Sequence, residues 1–274
     1  MVGRMGDRRL ELDGEHVSAR LLPGHGTKGG YTLVVDGVTQ SHVNPRDPRD
    51  LQLEYTRMVA SVIDGCREPA GPIRALHLGA GGLTIPRYVG ATRPGSVQHV
   101  VELHRVLLEF VLGALPLGDD VDLTIQYDDG RAAVERATRT GDGYDVAVVD
   151  VFSGSISPRH MSTAEFFTAL GGLLAPGGVI VVNTLATRAL SMSREVGATL
   201  ASLQLEVVAL AARAVVAGES LGNVVFAASD APLDGDGFMR RANDGQRPID
   251  LLRGPTYDDF VEGASVRRDG DAAA

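Results

Sequence analysis

Apolar runs of strand length alternate with helix-type patterns along most of this chain, and one unit organises the rest. Residues 73–78 form an apolar run long enough for a buried strand, and a glycine-rich turn follows directly. A helix is predicted over 84–89, with Thr84 as a possible N-cap, and a second apolar run, 97–101, ends on Glu102. The pattern predicts a strand, turn, helix, strand unit with an acid at the tip of its second strand.

The same alternation continues to both sides of this unit. Helical spacing of apolar residues predicts a helix that Asp50 caps and another that begins with the capping-box pair Ser162 and Glu165. Further strands are predicted at 121–127, 144–150 and 179–185, followed by an antiparallel pair at 205–210 and 223–228. Strands that are apolar throughout and alternate with helices predict a mostly parallel sheet with both faces covered.

The two ends of the chain differ from this pattern. Residues 17–22 and 31–35 are short β-type runs, and Asp36-Gly37 after the second run is typical of a hairpin. We therefore predict an N-terminal arm and small β-domain over 1–48 and a Rossmann-like domain over 49–253. The last segment, 254–274, is predicted to be a partly disordered tail.

Composition narrows the possible functions. The 274 residues suffice for one large domain with a small appendage, and the net charge of −9 argues against a broad nucleic-acid footprint. Cys66 is the only cysteine, so an internal disulfide is excluded, and the histidines lack metal-site spacing. We see neither a signal peptide nor an apolar run near twenty residues, so we expect a cytoplasmic protein without a membrane span.

The glycine turn and the acid after it are the first candidate site. Gly79, Gly81 and Gly82 allow a tight turn and a close approach of a ligand to the backbone. Glu102 follows about twenty residues later, and its ionised carboxylate can accept hydrogen bonds from two ribose hydroxyls. Nucleotide-type binding is the favoured interpretation, and glycines that serve packing alone are the alternative.

Two more acids are expected at the same edge of the sheet, since ligands of such sheets bind beyond the carboxyl ends of the strands. Asp129 precedes Gly130 after one predicted strand, and Asp150 ends the next. Three acids suit an adenosine sulfonium, in which Asp129 accepts from the adenine amine and Asp150 orients or deprotonates an attacking amine. Turn or capping roles are the alternatives, and His160 is a further candidate for this crevice.

The sequence resembles the spermidine synthase (polyamine aminopropyltransferase) family, especially its spermidine-synthase-like branch in high-GC bacteria. The resemblance covers about residues 30–230. LVVDGVTQ is similar to L-x-L-D-G-x-x-Q, and Tyr55 to the tyrosine of Y-H-E or Y-Q-E. HLGAGG corresponds to the family motif G-G-G-D-G-G, VVELH corresponds to V-E-I-D, and DDG corresponds to G-D-G. YDVAVVDVFSGSISP stands at F-D-V-I-x-x-D-x-x-D-P.

The resemblance implies a fold and a chemistry. The fold is an α/β, Rossmann-like sheet of the S-adenosylmethionine-methyltransferase type with a small N-terminal β-appendage. The donor is decarboxylated S-adenosylmethionine and the acceptor a polyamine, without a metal. Glu102 would bind the ribose, Asp129 with Gly130 the adenine, and Gln40 and Tyr55 would close the site. A homodimer or higher homo-oligomer through the appendage is also implied.

Several residues depart from the family pattern. Gly82 is taken to replace the turn aspartate that holds the donor's ammonium, and Ser153 replaces the second acid, which holds the acceptor amine. Gly154 replaces the proline that follows this second acid in the family motif. Thr56 follows Tyr55, where the family has His or Gln. Each lost charge-assisted hydrogen bond removes roughly 1.5–3 kcal/mol, so polyamine chemistry would weaken about a hundred-fold or more. The sequence thus predicts an intact adenosine half and a degenerate amine half.

Three hypotheses stay open. The chain is a spermidine synthase, a related transferase such as an S-adenosylmethionine-dependent methyltransferase, or a non-catalytic nucleotide-binding protein of the same fold. An enzyme of the transferase class is the preferred hypothesis. Asp150 is then the catalytic residue, and Ser153 is a candidate for contact with the acceptor.

Overall fold

A computed structural model describes residues 8–12, 15–24, 28–118, 121–137, 143–152, 158–243 and 247–271. Its N-terminal part is a four-stranded antiparallel meander, in which each strand pairs with its neighbour along the chain. The four strands are β1 (Arg8–Leu12), β2 (Glu15–Pro23), β3 (Tyr31–Val35) and β4 (Val38–Val43). This sheet is the predicted β-appendage.

Two details of this appendage bear on the sequence predictions. The hairpin at Asp36-Gly37 is confirmed, because both residues have positive φ, 47° and 78°, as a tight primed turn requires. Residues 8–12 of the predicted N-terminal arm are part of the β-domain rather than a separate arm, because they form β1 and pair with β2. Arg8–Leu12 carries three charges, so its strand character comes from main-chain pairing and from the burial of Leu10 rather than from an apolar run.

The second sheet is the main domain and has eight strands in the order β12-β10-β11-β9-β8-β5-β6-β7. Strands β5 to β9 are parallel, and β10, β11 and β12 add an antiparallel side. The ranges are β5 (Arg74–Leu78), β6 (Val97–Glu102), β7 (Asp122–Tyr127), β8 (Tyr144–Val149), β9 (Leu174–Ala186), β10 (Glu206–Ala212), β11 (Gly222–Ser229) and β12 (Ile249–Leu252). The predicted antiparallel pair is confirmed as β10 and β11, whereas β12 was not predicted.

Helices cover both faces of this sheet, as the apolar strands predict. Their ranges are α1 (Glu54–Gly65), α2 (Thr84–Thr92), α3 (Arg105–Ala114), α4 (Gly130–Arg136), α5 (Ala164–Gly171), α6 (Ser191–Ala201), α7 (Arg213–Val216), α8 (Gly235–Ala242) and α9 (Pro255–Val261). A short 3₁₀ turn spans Arg159–Met161. One large apolar core lies between these helices and the central strands, which are buried almost completely. A mixed α/β fold with a parallel-dominated sheet is therefore confirmed.

Three helix starts differ from the prediction. Leu53 rather than Asp50 occupies the N-cap of α1, because Asp50 instead accepts hydrogen bonds from side chains in its own loop. Thr84 is the first residue of α2, and its hydroxyl donates to the carbonyl of His42. Thr163 caps α5 by accepting from the N–H of Phe166, so the capping residue lies one position after Ser162.

The described part of the predicted tail, 254–271, is folded onto the main domain. Tyr257 and Phe260 of α9 are buried against Phe226 of β11. Arg267 is also buried and pairs with Glu195 of α6. The prediction of a partly disordered tail is wrong for this stretch, because these few large side chains anchor a segment that is otherwise rich in Asp, Gly and Ala.

Among the described helices, none combines the length and the apolar character that crossing a membrane would require.

Candidate active site

The candidate site is a cavity of about 610 Å³ at the carboxyl ends of β5, β6 and β8. Strand β5 pairs with β6 on one side and with β8 on the other, so the order of strands reverses there. Loops leaving the two sides diverge at such a point and open a crevice. The β4 strand of the appendage lines the opposite wall of the cavity.

The glycine turn after β5 forms the floor of this cavity. Gly79 has φ +89°, and an added Cβ would lie 2.3 Å from the carbonyl oxygen of Asp150, so only glycine fits. Gly81 also has positive φ, +49°. Both glycines line the cavity, as does Ala80 between them. The turn thus brings its backbone directly against any ligand in the site.

Glu102 lies beside this turn and is held rigidly. One carboxylate oxygen accepts from the N–H of Ala80 at 2.8 Å, and the other accepts from the N–H of His104 at 2.7 Å. The residue is only 9% exposed and lines the cavity. A carboxylate has about four lone-pair positions, so each oxygen can still accept one bond from a ligand.

Asp150 lies at the tip of β8, on the side of the cavity away from Glu102. Its Oδ1 accepts from Nδ2 of Asn183 at 2.7 Å, and the hydroxyl of Tyr55 also hydrogen-bonds to the carboxylate. Burial raises the pKa of Asp150, and these two hydrogen bonds only partly offset the effect. A carboxylate whose pKa is raised is a better proton acceptor than an ordinary one.

Asp129 is the N-cap of α4 and follows β7, the strand next to β6. Its Oδ1 accepts from the N–H of Ala132 at 2.9 Å, and its Oδ2 lies 3.0 Å from Nε2 of His160. Burial raises the pKa of Asp129, but the bonds from Ala132 and His160 outweigh it, so the net shift is downward. Asp129 and His160 both line the cavity, whereas Gly130 is not among the lining residues.

Gly82 does not line the cavity, which changes how the turn compares with the family motif. An added Cβ at Gly82 would lie 2.5 Å from Oγ of Ser41 and 2.7 Å from Val43, both on β4. An acid could not fit there. Ala80 does line the cavity, and it also stands opposite the aspartate when HLGAGG is set letter by letter beside G-G-G-D-G-G. The missing turn acid is therefore at Ala80, and its assignment to Gly82 is wrong.

The appendage side of the site contains Gln40 and Tyr55. Both line the cavity, and the hydroxyl of Tyr55 lies 3.5 Å from the carbonyl oxygen of Gln40. Thr56 points away, because it is buried and its hydroxyl bonds to the carbonyl of Leu53. Ser153 and Gly154 lie outside the described residues. The predicted closing pair is thus placed together at the cavity, whereas the Ser153 prediction stays a prediction.

Sequence reasoning missed three kinds of lining residue. Asn183 of β9 holds Asp150 and in turn accepts from Nδ2 of Asn223 at 3.0 Å. Ser41 of β4 faces the glycine turn. Apolar side chains also line the cavity: Leu103, Leu107, Val151, Phe152 and Met161. Asn183 interrupts an otherwise apolar strand, and that was the one available sequence signal.

The site is suited to a nucleoside with a reactive side arm. Within the described ranges, no group of three or more His, Cys, Asp or Glu side chains could hold a metal ion. The features present are a hydrogen-bonded carboxylate with free lone pairs, apolar lining residues and a buried carboxylate of raised pKa. Together with the reversed strand order, they define a Rossmann-like domain whose cavity at the strand ends is lined on one side by an appended β-sheet.

Comparison with known proteins narrows this class. No protein-family model matches the chain. A stretch of 142 residues, 52% of this chain, is 29% identical to a polyamine aminopropyltransferase of Vibrio vulnificus and covers 47% of that protein. A stretch of 123 residues, 42% of this chain, is 31% identical to an N-terminal histidine N-methyltransferase of Emericella nidulans and covers 22% of it. The chain thus spans about half or less of these curated relatives.

The structural match is more extensive. The crystal structure of a probable spermidine synthase from Corynebacterium glutamicum superposes with a TM-score of 0.86 at 27% identity, over 98% of both chains. The chain is therefore spermidine-synthase-like, and the resemblance that its motifs indicate is confirmed.

Proposed function

We propose that this chain is a spermidine-synthase-like transferase that binds an adenosine sulfonium and presents it to an amine beside Asp150. One observation carries the proposal. The glycine turn, Glu102 and Asp150 come from three different strands, yet all three line one cavity at the point where the strand order reverses. Glu102 and Asp150 are also held by hydrogen bonds that fix their orientation.

The residues present fit the adenosine half of such a ligand. The free lone pairs of Glu102 suit two ribose hydroxyls, and the loop residue Leu103, which is 55% exposed, provides an apolar surface for adenine. Asp129 has lone pairs left for the adenine amine after bonding to Ala132 and His160. We assign donor binding to Gln40, Tyr55, Gly79, Gly81, Glu102 and Asp129.

Asp150 is assigned to the attacking amine. A bound sulfonium supplies an electrophilic carbon, so that a nitrogen–carbon bond forms while the carbon–sulfur bond breaks and its electron pair stays on sulfur. The amine must give up a proton, and the Asp150 carboxylate accepts it. Tyr55 and Asn183 hold that carboxylate in one orientation, and its raised pKa favours proton uptake. Asp150 is therefore the proposed catalytic residue.

The transferred group separates two versions of this function. Relatives imply aminopropyl transfer from decarboxylated S-adenosylmethionine to a polyamine, with an amine-binding half that is degenerate in this chain. Methyl transfer from S-adenosylmethionine is the second candidate, and Ala80 favours it, because the turn offers no acid to a donor's lone ammonium. A homo-oligomer through the appendage is part of the proposal, and light scattering that gives the mass of one chain would contradict it.

Calorimetry with methylthioadenosine, S-adenosylhomocysteine and decarboxylated S-adenosylmethionine tests the proposal. We expect saturable binding of at least one ligand, and the variant Glu102→Gln should weaken every ligand that binds by roughly ten- to hundred-fold. Glu109→Gln is the control, because Glu109 pairs with Arg105 on the exposed face of α3. Failure of all three ligands to bind, or equal loss in both variants, contradicts the proposal. Binding without transfer to any amine would indicate a non-catalytic protein.

A further inference from the structure

One buried hydroxyl in the candidate site has no hydrogen-bond partner among the described residues. Ser41 of β4 is 2% exposed, and among the described residues its Oγ has no hydrogen-bond partner. Most buried hydroxyls in proteins are paired, because an unpaired one loses its bonds to water without replacement. Ser41 also lines the cavity. A cavity-lining hydroxyl without a protein partner suggests a partner that is part of the ligand.

This hydroxyl lies against the turn that begins α2. An added Cβ would lie 2.5 Å from Oγ of Ser41 at Gly82 and 3.7 Å from it at Gly81. Within the described parts of the chain, no acceptor takes the N–H of Gly81 or of Gly82. Helix α2 has nine residues and lacks a side-chain cap. Hydrogen-bond donors and the positive end of a helix dipole therefore meet beside Ser41.

The glycine turn itself carries no acid side chain, although acids line other parts of the cavity. The described carboxylates that line the cavity belong to Glu54, Glu102, Asp129 and Asp150, and none lies on the glycine turn, where Ala80 stands. Each oxygen of Glu102, which lies beside the turn, already accepts one backbone N–H, and its remaining lone pairs are assigned to the ribose hydroxyls. The turn therefore offers N–H and hydroxyl donors to a carboxylate, and it offers no side-chain acid to an ammonium.

We infer that Ser41 and the N–H group of Gly81 bind the carboxylate of the donor's amino-acid arm. The donor is then S-adenosylmethionine with its carboxylate, not the decarboxylated form. This inference rests on the proposed function, because it concerns the donor of that same site. It assigns to Ser41 the role of a specificity-determining residue that contacts the donor but not the reacting carbon.

Calorimetry on the full chain tests this assignment with three ligands that differ in one arm. S-adenosylhomocysteine carries the carboxylate, its decarboxylated analogue lacks only that group, and methylthioadenosine lacks the whole arm. The wild-type protein should bind S-adenosylhomocysteine at least ten-fold more tightly than the decarboxylated analogue. Ser41→Ala should reduce this ratio about ten-fold and leave methylthioadenosine affinity unchanged. Ser61→Ala, which removes an equally buried hydroxyl outside this cavity, should leave all three affinities unchanged.

Stability separates a ligand role from a structural one. Because the Ser41 hydroxyl has no described partner, Ser41→Ala should melt at the same or a higher temperature than the wild type. Ala80→Asp, which returns an acid to the turn, should shift the preference at least ten-fold toward the decarboxylated analogue.

Tighter binding of the decarboxylated analogue by the wild type overturns the inference while the proposed function stands. An equal loss of all ligands in Ser41→Ala, or a lowered melting temperature, also overturns it. Absence of binding by any of the three, methylthioadenosine included, contradicts the proposed function and this inference with it.

Discussion

Asp150 is the residue whose environment is least like that of an ordinary surface acid. Asn223 donates to Asn183, Asn183 donates to Asp150, and Tyr55 bonds to the same carboxylate. Every partner of this carboxylate is uncharged, so burial is not compensated by an opposite charge and the pKa is raised. The protein therefore loses stability when this group ionises, and the same environment makes the carboxylate a stronger proton acceptor at the cavity.

The raised pKa predicts a pH-dependent effect of Asp150→Asn. The folded protein binds this proton more tightly than the unfolded chain, whose carboxyl has an ordinary pKa of 3.8. The stability that the proton contributes is full below 3.8 and is lost as pH rises through the folded-state pKa. Asparagine cannot ionise. The melting temperature of the variant relative to wild type should therefore rise as the pH increases from about 4.

The matched control is Asp122→Asn, an exposed acid at the start of β7. Its melting temperature should follow that of the wild type at every pH. A difference between Asp150→Asn and wild type that stays constant or shrinks as pH rises would contradict the assignment of a raised pKa.

At the level of single residues, sequence reasoning found the acids and missed their neighbours. Glu102 and Asp150 were predictable, because each directly follows a run that can only be a buried strand. Ser41 was not, because its neighbours across the cavity are about forty residues away along the chain. The glycine turn is a third case. Only the structure shows that β4 packs against Gly82 and leaves no room there for a side chain, so the sequence could not show that the missing acid belongs at Ala80.

At the level of elements, the segment after α9 is the part that sequence pattern describes least well. Arg267 donates to Glu195 at 2.9 Å and to Oγ of Ser162 at 2.6 Å, and its carbonyl accepts the N–H of Ala164. Asp269 then pairs with Arg131. These bonds tie the segment to the start of α5 and to α4. They involve no apolar periodicity, so no hydrophobic pattern could have predicted them.

Arg267→Ala should therefore cost far more stability than a typical surface change. Its side chain is 9% exposed, and removal leaves Glu195 without its cation in a partly buried place. Breaking such a pair costs about 3 kcal/mol. Arg253→Ala is the control, because the Arg253–Asp236 pair is about half exposed and should contribute no more than about 1 kcal/mol. Urea denaturation of both variants measures the difference, and equal losses would show that the segment is not anchored through Arg267.

The strand–helix alternation predicted the elements better than their ends. The order β5 to β11 follows the sequence pattern because each strand is apolar on both faces. The starts of α1 and α5 were misplaced, since either of two neighbouring polar residues can cap a helix and tertiary contacts decide which one does. Thr163 is an example, because its hydroxyl also donates to Asp269, a residue more than one hundred positions later in the sequence.

At the level of the whole molecule, the appendage and the main domain share packing on both sides of the cavity. On one side, Phe110 and Val111 of α3 join the apolar cluster of the N-terminal sheet, with Leu21 and Leu33 among its members. On the other side, β4 lies against the glycine turn. A ligand bound by the turn is therefore also enclosed by the appendage, and we expect the two parts to unfold together.

Gly82→Ala tests that dependence, because this glycine is the point of closest approach between the two parts. The new methyl group would meet Ser41 and Val43 at distances that require β4 or the turn to move. Overpacking of this kind costs about 1–3 kcal/mol. We expect a lower melting temperature and weaker binding of methylthioadenosine, although the substitution adds no group that could contact the ligand.

Gly113→Ala is the matched control, since a methyl group there meets nothing within 4 Å and Gly113 lies in α3. Alanine in a helix is favoured over glycine by roughly 0.5–1 kcal/mol, so this variant should be slightly more stable and bind normally. Calorimetric unfolding of Gly82→Ala should show one transition shifted to lower temperature. Two separate transitions would show that the appendage folds independently, and unchanged ligand binding would show that β4 does not enclose the site.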